Sequence, residues 1–288
     1  MEARVSRKGA KEERLCVKLP GIPFLCNPMA LFISSLNSGS NGNCYYVGNE
    51  REAVLIDAGI SCRETEKRMQ RLGLSLAAVK AIFVSHEHSD HIRGLARLAK
   101  KYQLPVFITP RTLHRAGLPA GRFPVSAFRA YEPLQVGSLS VTAFPKRHDA
   151  ADPHSFMVTG GDVRVGIFTD IGAPCENVIE YFSQCHAAFL EANYEEALLE
   201  GGRYPAFLKR RIRGGSGHLS NGQALTLFRT CKPTYMSHLL LSHLSAENNC
   251  PQLTRELFMP HAGSTEIVVA SRSAETPVYT VGGGAPHF

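Results

Sequence analysis

No stretch of the sequence approaches the ~20 consecutive apolar residues that span a bilayer. The basic N-terminal segment MEARVSRKGAKEERLCVKLPGIPFLC adjoins no apolar run of the ~7–15 residues a secretory signal requires. A cytoplasmic protein with no membrane partner is therefore expected. Eight cysteines stand singly at 16, 26, 44, 62, 175, 185, 231 and 250, with no C-x-x-C among them, which argues against a cysteine-based zinc site. A domain of this size does not need disulfides to be stable, so the cysteines read as small buried apolar side chains in a reducing compartment. Internal repeats and low-complexity linkers are absent too. The simplest organisation is a poorly ordered basic extension over residues 1–30, followed by one domain over 31–288.

Acidic residues are fewer than basic ones, and the formal net charge is +7. The excess is local. Residues 1–30 carry six basic and three acidic side chains, and the segment 203–213, RYPAFLKRRIR, carries five basic and no acidic ones. Arg203, Lys209, Arg210, Arg211 and Arg213 thus form a cluster suited to a polyanionic partner, against the plainer reading of a solvated loop.

What the sequence has in quantity is short apolar runs that end on a metal-binding side chain. LFISSL and NCYYVGN read as strands joined by the turn NSGSNG, followed by the strand AVLIDAG (53–59) and an amphipathic helix near 63–73. AIFVS (81–85) then ends at His86, SVTAFPKR (140–147) at His148, VGIFT (165–169) at Asp170 and LLLS (239–242) at His243. Each run has the length and composition of a buried strand, and open α/β architectures place ligands beyond the carboxyl ends of their strands. The densest motif is His86-Glu87-His88-Ser89-Asp90-His91. His86 and His88 alternate, so both rings can point one way from an extended segment. Asp90 and His91 open the helix HIRGLARLAKKY and point into a neighbouring volume. Imidazole with carboxylate suits zinc, iron or manganese, and four ligands in one motif are too many for one metal that keeps an open position. Two metals follow.

This pattern resembles the metallo-β-lactamase superfamily, whose hallmark is H-x-H-x-D-H and whose fold is an α/β, four-layer αββα sandwich. The resemblance assigns His86, His88 and His148 to one metal, Asp90, His91 and His243 to the second, and Asp170 as the bridge between them. It makes Asp57, in VLIDAG, a supporting residue and not a ligand. His154, which follows Asp-Pro, and His238, which precedes LLLS, are rivals for the two later histidine places. His114, His186, His261 and His287 fall outside any motif.

The fold leaves the substrate open. In Gly217-His218-Leu219-Ser220-Asn221, Ser220 or Asn221 can cap the helix GQALTLFRT. That sets His218 beside a helix N-terminus, a favourable place for an anion, just after the basic run. Here the sequence resembles the YycJ, WalJ or VicX group of bacterial metallo-β-lactamase-fold proteins, in GHLSN, HLSAENN, SLNSGSNGNCYYV, DAGIS, LEANYEE and YPAFLKRRI. The group is similar to ribonuclease Z, in which a histidine of a GHST-like segment assists phosphodiester cleavage. The resemblance implies a DNA nuclease of 5′→3′ exonuclease type acting in mismatch repair. It implies two divalent ions, zinc or manganese, and a catalytic group of His218, Asp170 and Asp90, with Glu191 and Asn193 supporting the site. The basic run would hold the nucleic acid strand. Two alternatives stand beside this reading: a small-molecule thioester hydrolase of the glyoxalase II type, and a non-catalytic nucleic-acid-binding regulator.

Overall fold

In the computed structural model, which describes residues 30–118 and 121–282, the apolar runs become strands of two seven-stranded sheets. The extension expected over 1–30 lies outside these residues, apart from Ala30. The first sheet takes β1 (Leu31–Asn37), β2 (Cys44–Gly48), β3 (Ala53–Ile56), β4 (Val79–Phe83), β5 (Val106–Phe107) and β6 (Val125–Ser126), side by side in that order. The second takes β7 (Leu134–Val136), β8 (Leu139–Pro145), β9 (His154–Gly160), β10 (Val163–Phe168), β11 (Ala187–Glu191), β12 (His238–Ser242) and β13 (Glu266–Val269). The last strand, β14 (Tyr279–Val281), returns to the first sheet and pairs antiparallel with β1.

Strand alternation builds the layers. Val54 and Ile56 of β3 and Ala187 and Phe189 of β11 meet in a core between the sheets. Their neighbours Ala53 and Leu55 pack with Met69, Leu95 and Leu98 in a second core, on the outer face of the first sheet. Ala188 and Leu190 pack with Phe182, Phe228 and Phe258 in a third core, on the outer face of the second. Each fully buried Phe or Leu contributes about 1.5–3 kcal/mol. The outer layer of the first sheet holds α1 (Cys62–Arg71), the single turn α2 (Ser89–Ile92), α3 (Leu95–Tyr102) and α4 (Pro110–Ala116). The second half of the chain supplies α5 (Glu176–Phe182), α6 (Glu196–Gly201), α7 (Ala206–Arg213), α8 (Asn221–Cys231) and α9 (Pro251–Phe258). The αββα sandwich is the architecture expected from the sequence. No helix among the described residues is long and apolar enough to cross a membrane.

Two local expectations change. HIRGLARLAKKY is not one helix: α2 and α3 are separate, with Gly94 as the N-cap of α3. A Cβ on Gly94 would lie 1.8 Å from the Ile60 carbonyl oxygen, and one on Gly59 would lie 1.6 Å from the Asp90 oxygen. The DAGIS turn and the α2 turn therefore touch backbone to backbone, a packing that breaks the helix. The basic run, expected as a loop, is largely the helix α7, with Pro205 at its N-cap and no buried residue.

Candidate metal centre and active site

Parallel pairing brings the ends of β3 and β4 together in one sheet and those of β10, β11 and β12 in the other. Asp57 follows β3, His86 lies beyond β4, Asp170 lies beyond β10, Glu191 ends β11 and His243 follows β12. Asp57, Asp170 and His243 each turn off their strand in the left-handed region, at φ 63°, 54° and 56°. A non-glycine residue is held there at a cost of order 1–3 kcal/mol and only where its surroundings over-determine it. Two hydrogen bonds tie the sheets along this edge, from the His243 amide to Ser38 Oγ (2.7 Å) and from the His154 amide to the Ser85 carbonyl (3.0 Å).

Three groups of donor atoms result: His86, His88 and His148; Asp90, His91, Asp170 and His243; and Asp170, Glu191, His218 and His243. His86 Nε2 lies 3.1 Å from His88 Nδ1, which lies 3.4 Å from His148 Nε2. In the second group, Asp90 Oδ2 is 3.5 Å from both His91 Nε2 and His243 Nε2, and Asp170 Oδ2 is 3.0 Å from His91 Nε2. Asp170 Oδ1 is 3.5 Å from His243 and 3.8 Å from His148, so this carboxylate stands between the two groups. Ligands of a tetrahedral ion at about 2.0–2.1 Å stand roughly 3.4 Å from one another. Asp170 Oδ2 is buried and has no aligned hydrogen bond despite the nearby nitrogen. Donor atoms at these spacings, with a buried carboxylate oxygen left without a hydrogen bond, fit a shared cation.

In His86, His91, His148 and His243 the remaining ring nitrogen is held by the protein, which turns the other nitrogen inward. Nδ1 of His91 pairs with Asp57 (2.7 Å), that of His148 with the Gly217 carbonyl (3.0 Å), and that of His86 with Ser85 Oγ (2.9 Å). Nδ1 of His243 lies 3.1 Å from Glu191 and 3.2 Å from Asn193 Nδ2, which also donates to the His243 carbonyl at 2.7 Å. Ser85 further anchors Asp57 through its amide and hydroxyl (2.8 and 2.7 Å).

Electrostatics separates the two groups. Burial pushes His148 down to about 4 and, with the neighbouring His91, holds His86 well below its ordinary range, leaving neutral imidazoles ready to ligate. Around Asp170, burial opposes charge but is outweighed. His243 rises to about 10 through Asp170, Asp90 and Glu191. His91 rises well above its ordinary range through Asp170, Asp57 and Asp90. Asp170 and Asp90 are held low by these same imidazoles. The carboxylates gather positive charge, as a site built for a cation must.

His218 joins the centre, its ring 5.4 Å from His148 and 5.2 Å from His243. Its Nδ1 lies 2.8 Å from Glu191 Oε1, and Glu191 Oε2 accepts from the amides of Ile171 (2.7 Å) and Leu219 (3.3 Å). The cap of α8 is Ser220, in a reciprocal box with Gln223. His154 instead stacks near Phe128, and His238 near Tyr279 and Glu266; neither joins a donor group. The basic run divides. Arg211 pairs with Asp149 at 2.5 Å, Arg213 with Glu200, and Lys209 donates to the Glu200 carbonyl at 2.5 Å. Arg203 and Arg210 are exposed and form no ion pair among the described residues.

Three contributors were not visible in sequence. Asn43 places Nδ2 3.2 Å from Asp90 Oδ2 and 3.1 Å from His91 Nε2. Ser85 precedes the histidine motif and orders two of its members. Lys146 is buried beneath the centre, donating to the Thr169 carbonyl at 2.6 Å. Polarity next to a motif is the only local signal for the first two, and nothing local marks the lysine as buried.

A family model described as "Beta-lactamase superfamily domain" matches residues 52–243. Exodeoxyribonuclease YycJ of Bacillus anthracis is 34% identical over 230 residues, covering 79% of this chain and 87% of its own. Exodeoxyribonuclease WalJ of Streptococcus pneumoniae is 28% identical, covering 76% of this chain and 84% of its own. Among solved structures, the metallo-β-lactamase fold protein YhfI from Bacillus subtilis superposes with a TM-score of 0.68 at 16% identity, covering 88% of this chain and 99% of that one.

Proposed function

Because the chain belongs to the β-lactamase superfamily, in the family of exodeoxyribonuclease YycJ, and is a metal-dependent nuclease, we propose that it degrades DNA from an end, in the 5′→3′ direction and in the service of DNA repair. Polarity and repair role rest on the likeness in GHLSN and HLSAENN. The observation that carries phosphodiester chemistry is His218, oriented by Glu191 between the two donor groups.

In this reading His86, His88 and His148 hold one divalent ion, zinc or manganese. Asp90, His91 and His243 hold a second, and Asp170 is shared. When bound, the ions supply an acidified water and positive charge for the phosphoryl oxygens. The protein supplies the rest. Glu191 holds Nδ1 of His218, so Nε2 is turned to the substrate, where its proton is donated to a non-bridging or leaving oxygen as negative charge builds there. Asp57, Ser85 and Asn193 keep ligand rings in register before the substrate arrives. Arg203 and Arg210 contact flanking phosphates and set the strand's position. Phe207, 66% exposed and one turn before Arg210 on α7, offers a face on which a base stacks. Lys209, Arg211 and Arg213 are engaged by the fold and hold α7 beside the centre.

End-labelled single- and double-stranded DNA, incubated with protein loaded with manganese or with zinc, tests the reading. Release of the 5′ label as a short product is the expected result. Preferential degradation of RNA, or turnover of a small thioester in place of DNA, would overturn it.

A further inference from the structure

Arg272 lies in the C-terminal segment, for which the sequence suggests no role. It donates from Nη1 to Ser40 Oγ (3.2 Å) and to the Leu244 carbonyl (3.1 Å), and its own carbonyl accepts from Asn41 Nδ2 (2.6 Å). Arg93 donates to the Asn41 carbonyl from the other side, at 3.1 Å. Two guanidiniums thus flank the loop 38–42. That loop is bonded to the metal centre: Ser38 Oγ accepts from the His243 amide (2.7 Å), and the next residue, Asn43, donates from its amide to the Asp90 carbonyl (2.7 Å).

The arginines beside this segment are neutralised: Arg71 pairs with Glu275 and Arg68 with Glu64. Arg272 and Arg93 form no ion pair among the described residues, and Arg272 is half-buried. A guanidinium has five N–H donors, and the hydrogen bonds of Arg272 use Nη1 alone. Removing such a charge from water without a partner is costly, so the arrangement suits an anion that arrives with the ligand. Beside it opens a cavity of about 370 Å³, lined by Arg272, Ser271, Ser273, Ser245, Leu244 and Asn249, within the ~300–1,000 Å³ of small-ligand sites. Its wall sets these hydroxyl, amide and guanidinium groups beside apolar Leu244, Ala246, Pro251, Val269 and Ala270, and holds no carboxylate.

We propose that Arg272, with Arg93 and the loop 38–42, forms a phosphate subsite on the His243 side of the centre, holding a backbone phosphate of the strand next to the one being cut. This rests on the nuclease reading above. A planar fork of donors matches phosphate oxygens in a way that an ammonium would not. Together with Arg210 on α7, beyond His148, it would grip the strand on both sides of the scissile bond.

The test uses the metal-loaded full chain and Arg272→Gln. Glutamine keeps a donor for Ser40 and Leu244 but removes the charge. Binding of a cleavage-resistant phosphorothioate oligonucleotide is measured by anisotropy across a salt series. The variant should bind about tenfold more weakly, with the slope of log affinity against log salt flatter by about 0.7 for one lost phosphate contact on a single strand. Its loss of kcat/KM on an oligonucleotide should exceed its loss on bis(p-nitrophenyl) phosphate at least tenfold. Arg93→Gln, on the exposed rim, should shift binding the same way and keeps the test open if Arg272→Gln misfolds. Unchanged affinity and slope in both variants, while the wild type binds and cuts DNA, would overturn the subsite alone. Equal losses on both substrates would make Arg272 a staple for the loop and overturn it as well. A wild-type protein that neither binds nor cuts any oligonucleotide would overturn the nuclease reading and the subsite with it.

Discussion

Glu191 is fully buried, and both of its oxygens are in use, two backbone amides on one and two imidazoles on the other. A carboxylate can accept all four; an amide cannot. Glu191→Gln therefore puts an NH2 group against either an N–H donor or a ring nitrogen that must keep its proton. Metal affinity and kcat should each fall about 10–100-fold, as when other groups that orient ligands are removed; an enzyme with normal metal content and normal kcat would show that Glu191 is mere filling. His218 behaves differently under substitution. His218→Ala should lose about 10²–10³ in turnover on DNA and retain its metal, measured by elemental analysis of the same preparation. Metal loss would make His218 a ligand. At this scale the sequence was most legible where a side chain's role is set by its place along a strand. His86, Asp170 and His243 each follow an apolar run, and the fold brings them together. Asn43 and Lys146 were hidden because their contacts, with Asp90 and with Thr169, are made across the fold.

Between elements, the contact of the DAGIS turn with α2 is backbone on backbone at Gly59 and Gly94. Gly94→Ala would drive a methyl into the Ile60 carbonyl, at a cost of about 1–3 kcal/mol or more for an overpacked site. It should lower the melting temperature and loosen the second metal group, because Asp90 and His91 ride on α2. Gly201→Ala, where a Cβ meets nothing within 4 Å, is the control and should melt as the wild type does. The helical period of HIRGLARLAKKY was readable, but its interruption was not, since it depends on Ile60, remote in sequence. The segment α7 shows the same limit. Its four positive charges stood out, yet Asp149 and Glu200, which neutralise two of them, arrive from elsewhere. Phe207→Ala tests the face that remains. Loss of one stacked base should cost about 1–3 kcal/mol of single-strand affinity, and unchanged binding by anisotropy would remove α7 from the strand's path.

As a whole, the molecule is two sheets whose strand ends meet at a cluster of like and unlike charges, so folding and metal uptake are linked. In the metal-free protein His243 rises to about 10 and His91 is raised as well, so both carry a proton at pH 7 that a metal must displace. Metal titrated into chelator-treated protein in a weak buffer should release protons, and uptake should weaken as pH falls; binding with no proton release would contradict this account. The signs of the metal-free protein's own stability follow. The contribution of His243 is lost as pH climbs through its folded value near 10, and that of His91 is lost in the same direction. That of Glu191, held down at about 2 by His218 and His243 against the pull of burial, is lost as pH drops through that value. Free metal at a hundred times its dissociation constant should add about 2.7 kcal/mol, seen as a melting temperature that falls on chelation. The layered architecture was readable from strand composition, but the closing of the first sheet by β14 was not, because TPVYTV carries no sign of which edge it joins. That closure orders events in time. The strand beside β1 is made after every strand of the second sheet, and the loop that touches His243 and Asp90 is pinned by Ser271 and Arg272 just before it. A growing chain still short of these residues lacks what pins that loop, so the donors supplied by the earlier strands stay unframed until this later segment has been made.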